Sequence, residues 1–246
     1  MTDKPQTHNP TSRTTLGFTS TATISISMRA YFSTYFLWAA EHFSKLAAEI
    51  EDSHEGRSRF SIEHRAYVMN SILSSVAFLE AAINELYQDA YDNHTSYIEN
   101  IDKELISNLA DIWKITEVNK GSAIKLLPKY QIALIIAGKE KFEEGKNPYQ
   151  DASLVIDLRN FLTHYKPRTI GEDTNVKLTD KLRGKFQKCK MFEESSNPDF
   201  PDKMFGKDCA KWSVISVKNF ADEFFKRIDI EPNYQKVDIE KLGGKK

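Results

Sequence analysis

An arginine, an asparagine and a histidine share the stretch Asp157-Leu158-Arg159-Asn160-Phe161-Leu162-Thr163-His164-Tyr165-Lys166-Pro167. Arginine carries a permanent planar charge that grips phosphate oxygens in pairs, and histidine moves protons near neutral pH. Together they suit metal-free RNA cleavage: the 2′-hydroxyl attacks the adjacent phosphate, histidine transfers a proton, and arginine neutralises the charge developing on phosphorus. A helix-terminal histidine beside an ordinary surface arginine would read the same way, so the surrounding elements have to decide between the two.

The apolar spacing predicts a helix from Tyr149 to Tyr165, because Lys166 precedes Pro167 and is pushed toward an extended conformation. With Leu154 set at zero and ~100° per residue, Val155, Leu158, Phe161, Leu162 and Tyr165 fill one core-facing arc. Arg159 then falls at about 140° and His164 at about 280°, roughly 7.5 Å apart along the axis. They border the buried face on opposite sides, so one helix alone does not converge them. Asn160 lies one turn before His164, and Asp157 extends the same polar border.

Helical periodicity also covers Ser33 to Ile50, Ile62 to Asp92, Lys103 to Thr116, Ser122 to Ala137 and Cys209 to Ile228, with Pro128 forcing a kink or a late start in the fourth of these. Polar/apolar alternation from Thr21 to Met28 suggests a short strand within a partly disordered N-terminal extension, residues 1–32. A single helical domain is expected over residues 33–228, with an irregular insert at about 166–207 and a charged, frayed tail at 229–246. On the longest helix, with Val76 at zero, Glu80 falls only about 40° away among the core positions. It is therefore expected to be buried and paired, with Asn84 in the same polar cluster.

Of the 246 residues 40% are hydrophobic, enough for a sizeable core. A net charge of -1 and a pI near 6.6 exclude a uniformly basic coat, so any polyanion site must be local. The charges are segregated: 14 acidic against 5 basic side chains from Glu41 to Asp111, but 9 basic against 3 acidic from Arg159 to Lys190. Lys166, Arg168, Lys181, Arg183 and Lys185 are the candidate RNA contacts in that basic segment. Cys189 and Cys209, twenty apart, match neither a zinc knuckle nor a redox pair, and the six histidines form no recognisable ligand set. No metal and no cofactor are expected, and there is no glycine-rich phosphate loop. The N-terminus lacks a signal-peptide pattern and no apolar run reaches the ~18 residues of a membrane span, so a cytoplasmic protein is expected.

The stretch Arg159-Asn160-Phe161-Leu162-Thr163-His164 resembles the signature of the HEPN (higher eukaryotes and prokaryotes nucleotide-binding) domains: arginine, a polar residue, then histidine near the end of a helix. Two further blocks are similar to that family in the same order. One is Ser74 to Glu85, like its glutamate-bearing central helix; the other opens at Cys209-Ala210-Lys211-Trp212 and ends Asp222-Glu223-Phe224-Phe225. The resemblance covers about 62–165 and 207–228. It implies an all-α, up-and-down helical bundle that dimerises so that both Arg/His motifs meet in one cleft, forming a metal-independent endoribonuclease. Arg159 and His164 would be catalytic, with Asn160, Glu80, Asn84 and Asp157 supporting. Members act in toxin systems, phage defence or RNA processing, with an antitoxin or defence-system protein as partner; others are non-catalytic interaction or nucleotide-binding modules. The chain departs from the toxin subgroup in having Lys166, not tyrosine, two residues after the histidine, so regulation through that tyrosine does not carry over.

Overall fold

The periodic apolar segments fold as helices. The computed structural model describes residues 28–53, 60–94, 98, 101–118, 124–167, 169 and 177–236. Among them lie α1 (Phe32–Asp52), α2 (Ile62–Tyr91), α3 (Lys103–Trp113), α4 (Leu126–Ile136), α5 (Tyr149–Thr163), α6 (Lys177–Leu182), α7 (Lys207–Arg227) and α8 (Asn233–Lys236). The described residues contain no strand, and the architecture is an all-α bundle. Residues 1–30 form a separate unit of which only 28–30 are described, and all eight helices belong to the second unit, from Tyr31 onward. The alternating segment at 21–28 lies outside the described residues except for Met28.

The central helix is α2, which packs against α1, α3, α5 and α7. Val68, Ile72, Val76, Leu79, Ile83, Leu86 and Tyr87 are buried along its length. By length and composition α2 could cross a membrane, but half of its most apolar window is buried inside the protein, as expected of a core helix. Ser61 caps its start, with the His64 amide donating to Ser61 Oγ at 3.2 Å. Ser61→Ala should therefore cost about 1 kcal/mol of stability, read as a shift in the urea midpoint at constant slope.

Glu80 is exposed, contrary to the expectation of burial. The buried positions of α2 include Ser71, Ser75, Phe78, Ala82 and Asp89 as well as the apolar stripe. Their arc centres about 70° away from Val76 on a ~100° wheel, so Val76 marks one border and Glu80 falls just beyond it. The inward acids are instead Glu85 and Asp89. Glu85 accepts from Ser33 N at 2.7 Å and Ser33 Oγ at 2.6 Å, and Asp89 accepts from Tyr31 Oη at 2.9 Å. α1 has no side-chain N-cap of its own, and Glu85 from α2 takes that place at the Ser33 amide. Burial raises the Glu85 pKa, against the lowering effect of the Ser33 and Phe32 hydrogen bonds.

Pro128 produces a late start: α4 begins at Leu126, which leaves the proline in the first turn, where its missing N–H has no helical partner to lose. Tyr130 on α4 is fully buried, donates to the Leu79 carbonyl at 2.7 Å and meets Phe220 and Phe224 of α7 edge-on. α7 ends in a left-handed cap at Asp229 (φ 58°), with Ile230 N donating to the Phe225 carbonyl at 3.0 Å. The chain thereby turns back on itself. Tyr234 on α8 is buried and lies edge-on to Phe78 at 4.9 Å, so the segment just after Asp229 is packed and not frayed.

Much of the insert, expected to be irregular, is likewise ordered. It contributes α6, a short 3₁₀ turn at Lys190–Phe192 and a wide turn at Asp199–Lys203. Leu182, Phe200, Met204 and Phe205 form a second core with Leu154 and Leu158 of α5, Val68 and Ile72 of α2, and Cys209 of α7. Phe161 sits edge-on to Phe200 with ring centroids 5.0 Å apart, fixing the end of α5 on which the arginine and histidine lie.

Candidate functional site

Helix α5 ends at Thr163, and His164 occupies the C-cap with φ -107° and ψ 26°, just beyond the last helical residue. Its amide donates to the Asn160 carbonyl at 3.0 Å, and Thr163 Oγ donates to the Arg159 carbonyl at 2.9 Å. The His164 ring is exposed and has no hydrogen-bond partner among the described residues. Asn160, also exposed, is tied to His164 through that backbone bond.

Arg159 is half-buried, and its Nε is buried with no hydrogen-bond acceptor among the described residues. An unmatched buried donor costs about 1–3 kcal/mol, more when charged. No hydrogen bond joins the side chains of Arg159 and His164 among the described residues, in keeping with their places on opposite borders of the buried face.

The other expected members are dispersed. Asp157 pairs with Lys181 of α6 at 3.6 Å and does not orient His164. Lys185 pairs with Asp151 of α5 at 2.7 Å, and Arg183 pairs with Asp180 at 3.2 Å. Three of the five candidate RNA contacts are thus partly neutralised in the isolated chain. The Lys181 and Arg183 pairs are well exposed and worth only a few tenths of a kcal/mol, so phosphate could displace their acids. Lys166 is exposed, and Arg168 lies outside the described residues. Asn84 does enter a polar cluster, accepting from Lys129 Nζ at 2.9 Å, and that ammonium lies 5.0 Å from the Trp113 ring centroid. Glu80 has no part in it.

A second polar centre was not visible in the sequence. Glu51, in the last turn of α1, is buried and accepts from Lys190 N at 2.9 Å and Lys207 N at 2.7 Å, and its Oε2 lies 3.1 Å from His64 Nε2. A carboxylate is unfavourable at the C-terminus of its own helix, but here it also faces the N-terminus of α7 and the first turn of α2, where it is stabilising. Burial pushes its pKa up, yet the hydrogen bonds from His64, Lys207 and Lys190 outweigh that and hold it below the ordinary value. Cys189 completes the centre. Burial and the neighbouring Glu51 charge push its thiol up to about 12. Gly206 permits the close approach: a Cβ there would lie 2.8 Å from Cys189 Cα and 3.1 Å from Glu51 Oε2. Glu51 and His64 flank the α1–α2 connection, and Cys189 comes from the insert, so no local spacing signals the cluster.

No protein-family model matches this chain, and no match is found among curated proteins or solved structures.

Proposed function

We infer that this chain is a metal-independent endoribonuclease of the HEPN type, acting in the cytoplasm as a homodimer within a toxin or phage-defence system. The observation that carries the reading is the presence, at the end of one helix, of an arginine whose buried Nε has no acceptor and an exposed histidine with no hydrogen-bond partner, both among the described residues. Dimerisation supplies the convergence that one helix does not. In the reaction, the RNA 2′-oxygen bonds to phosphorus as the bond to the 5′-oxygen breaks. His164 of one protomer accepts the 2′-hydroxyl proton and a water protonates the departing 5′-oxygen, while Arg159 of the other protomer neutralises the non-bridging oxygens. The products are a 2′,3′-cyclic phosphate and a 5′-hydroxyl.

A second reading, a non-catalytic HEPN-like interaction or nucleotide-binding module, draws support from the ion pairs that occupy Lys181, Arg183 and Lys185. Nonspecific RNA affinity depends on cations available to phosphate, and these are already engaged. One assay separates the two readings. Wild-type protein is incubated with mixed RNAs in buffer without added divalent metal, and the new ends are analysed. Cyclic phosphate ends are expected for the ribonuclease; intact RNA across varied substrates leaves the binding module.

A further inference from the structure

We propose that Glu51, His64 and Cys189 form a buried zinc site that clamps the insert to the junction of α1 and α2. The three ligand atoms all lie within 4.8 Å of one another, and the His64 Nε2 to Glu51 Oε2 edge is 3.1 Å. A tetrahedral zinc ion with bonds of ~2.0–2.3 Å needs ligand-to-ligand edges of roughly 3.3–3.6 Å, so one edge is nearly in place and the sulfur, within 4.8 Å of the other two atoms, has to close by at most about an ångström. Relative exposures are 1% for Glu51, 2% for His64 and 1% for Cys189, so the ion would be enclosed.

Ligand chemistry selects the metal. One thiolate, one imidazole and one carboxylate suit borderline-soft zinc better than magnesium or calcium, which prefer all-oxygen shells. The charges also balance: a dication with one thiolate and one carboxylate is neutral, which favours burial. On binding, zinc bonds to the Cys189 sulfur as the S–H bond breaks and its proton leaves to solvent. His64 ligates through Nε2 as the neutral imidazole, with its proton on Nδ1, and a water takes the fourth position. Glu51 keeps the Lys190 and Lys207 amides as donors, and these hold the carboxylate in orientation as outer partners do at metal sites.

The site shares no residue with the Arg159/His164 pair and carries no step of the reaction proposed above. Its function is structural. It ties the end of α1 and the first turn of α2 to the segment that leads into α7, and so holds the second core against the base of α5.

The test is titration of the stripped full-length chain with Co²⁺, followed by zinc. Expected are a thiolate-to-cobalt charge-transfer band with tetrahedral visible bands, quenched by about one equivalent of zinc per chain. The band should persist in Cys209→Ala and vanish in Cys189→Ser, with far-UV circular dichroism showing that both variants are folded. His64→Gln should weaken zinc binding by at least about 10-fold. Absence of the band in folded wild-type chain overturns the site even if a variant fails to fold. A band that survives Cys189→Ser but disappears in Cys209→Ala also overturns it.

Discussion

Arg159→Ala and His164→Ala are each expected to lower the RNA cleavage rate by about 10²–10⁴-fold while leaving the fold and the dimer intact. The separation between activity and stability follows from where the two side chains sit. His164 is exposed beyond the end of α5 and its ring makes no hydrogen bond among the described residues, so its truncation removes little packing. Arg159 is half-buried, but its Nε is an unmatched donor, and deleting an unsatisfied group offsets the lost contacts of the aliphatic stem. Arg159→Lys should recover only part of the loss, because an ammonium keeps the charge without the planar fork that grips two phosphate oxygens. Single-turnover rates, with circular dichroism and sedimentation on the same samples, check this. Undiminished cleavage in either variant would remove that residue from the mechanism.

Glu51→Ala should be the most destabilising single change in this region, costing about 3–5 kcal/mol in the metal-free chain. The carboxylate is the acceptor for Lys190 N and Lys207 N and the partner of His64 Nε2. Its removal leaves the buried His64 and the part-buried Lys190 and Lys207 amides without their acceptor, and a buried group left unmatched costs about 1–3 kcal/mol. It also leaves the start of α7 without its anionic cap, because Gly206 offers no side chain. A domain with a typical stability of about 5–15 kcal/mol would lose a large share of it. Urea denaturation in the presence of a chelator gives the measurement, with Glu51→Gln expected to fall between wild type and Ala. A loss below about 1 kcal/mol would show that the centre is not a structural anchor.

The helices were legible because each has its own apolar period: α1, α2, α5 and α7 begin and end within a few residues of the positions that spacing and Pro167 imply. Where the reading failed, the cause was non-local. A wheel centred on Val76 placed Glu80 inside, but the true centre of the buried face is set by which helices surround α2, and periodicity does not encode that. Glu85 and Asp89 were overlooked because their partners, the Ser33 amide and the Tyr31 hydroxyl, lie some fifty residues earlier in the chain. The insert looked irregular because its helices are short. Its order comes from Leu182, Phe200 and Phe205 packing onto α5 and α7, contacts without a sequence signature. The Arg159/His164 motif was legible as chemistry because both residues lie on one helix, whereas the Glu51/His64/Cys189 centre draws on three separate segments.

Cleavage by an exchanged, equimolar mixture of Arg159→Ala and His164→Ala chains bears most directly on the two-chain site. Statistical exchange makes about half the dimers mixed, and each mixed dimer keeps one Arg/His pair drawn from two chains, so activity should return to roughly a quarter of the wild-type rate. Mixed dimers that form, as shown by native mass spectrometry, yet cleave no faster than either variant alone would contradict the composite site.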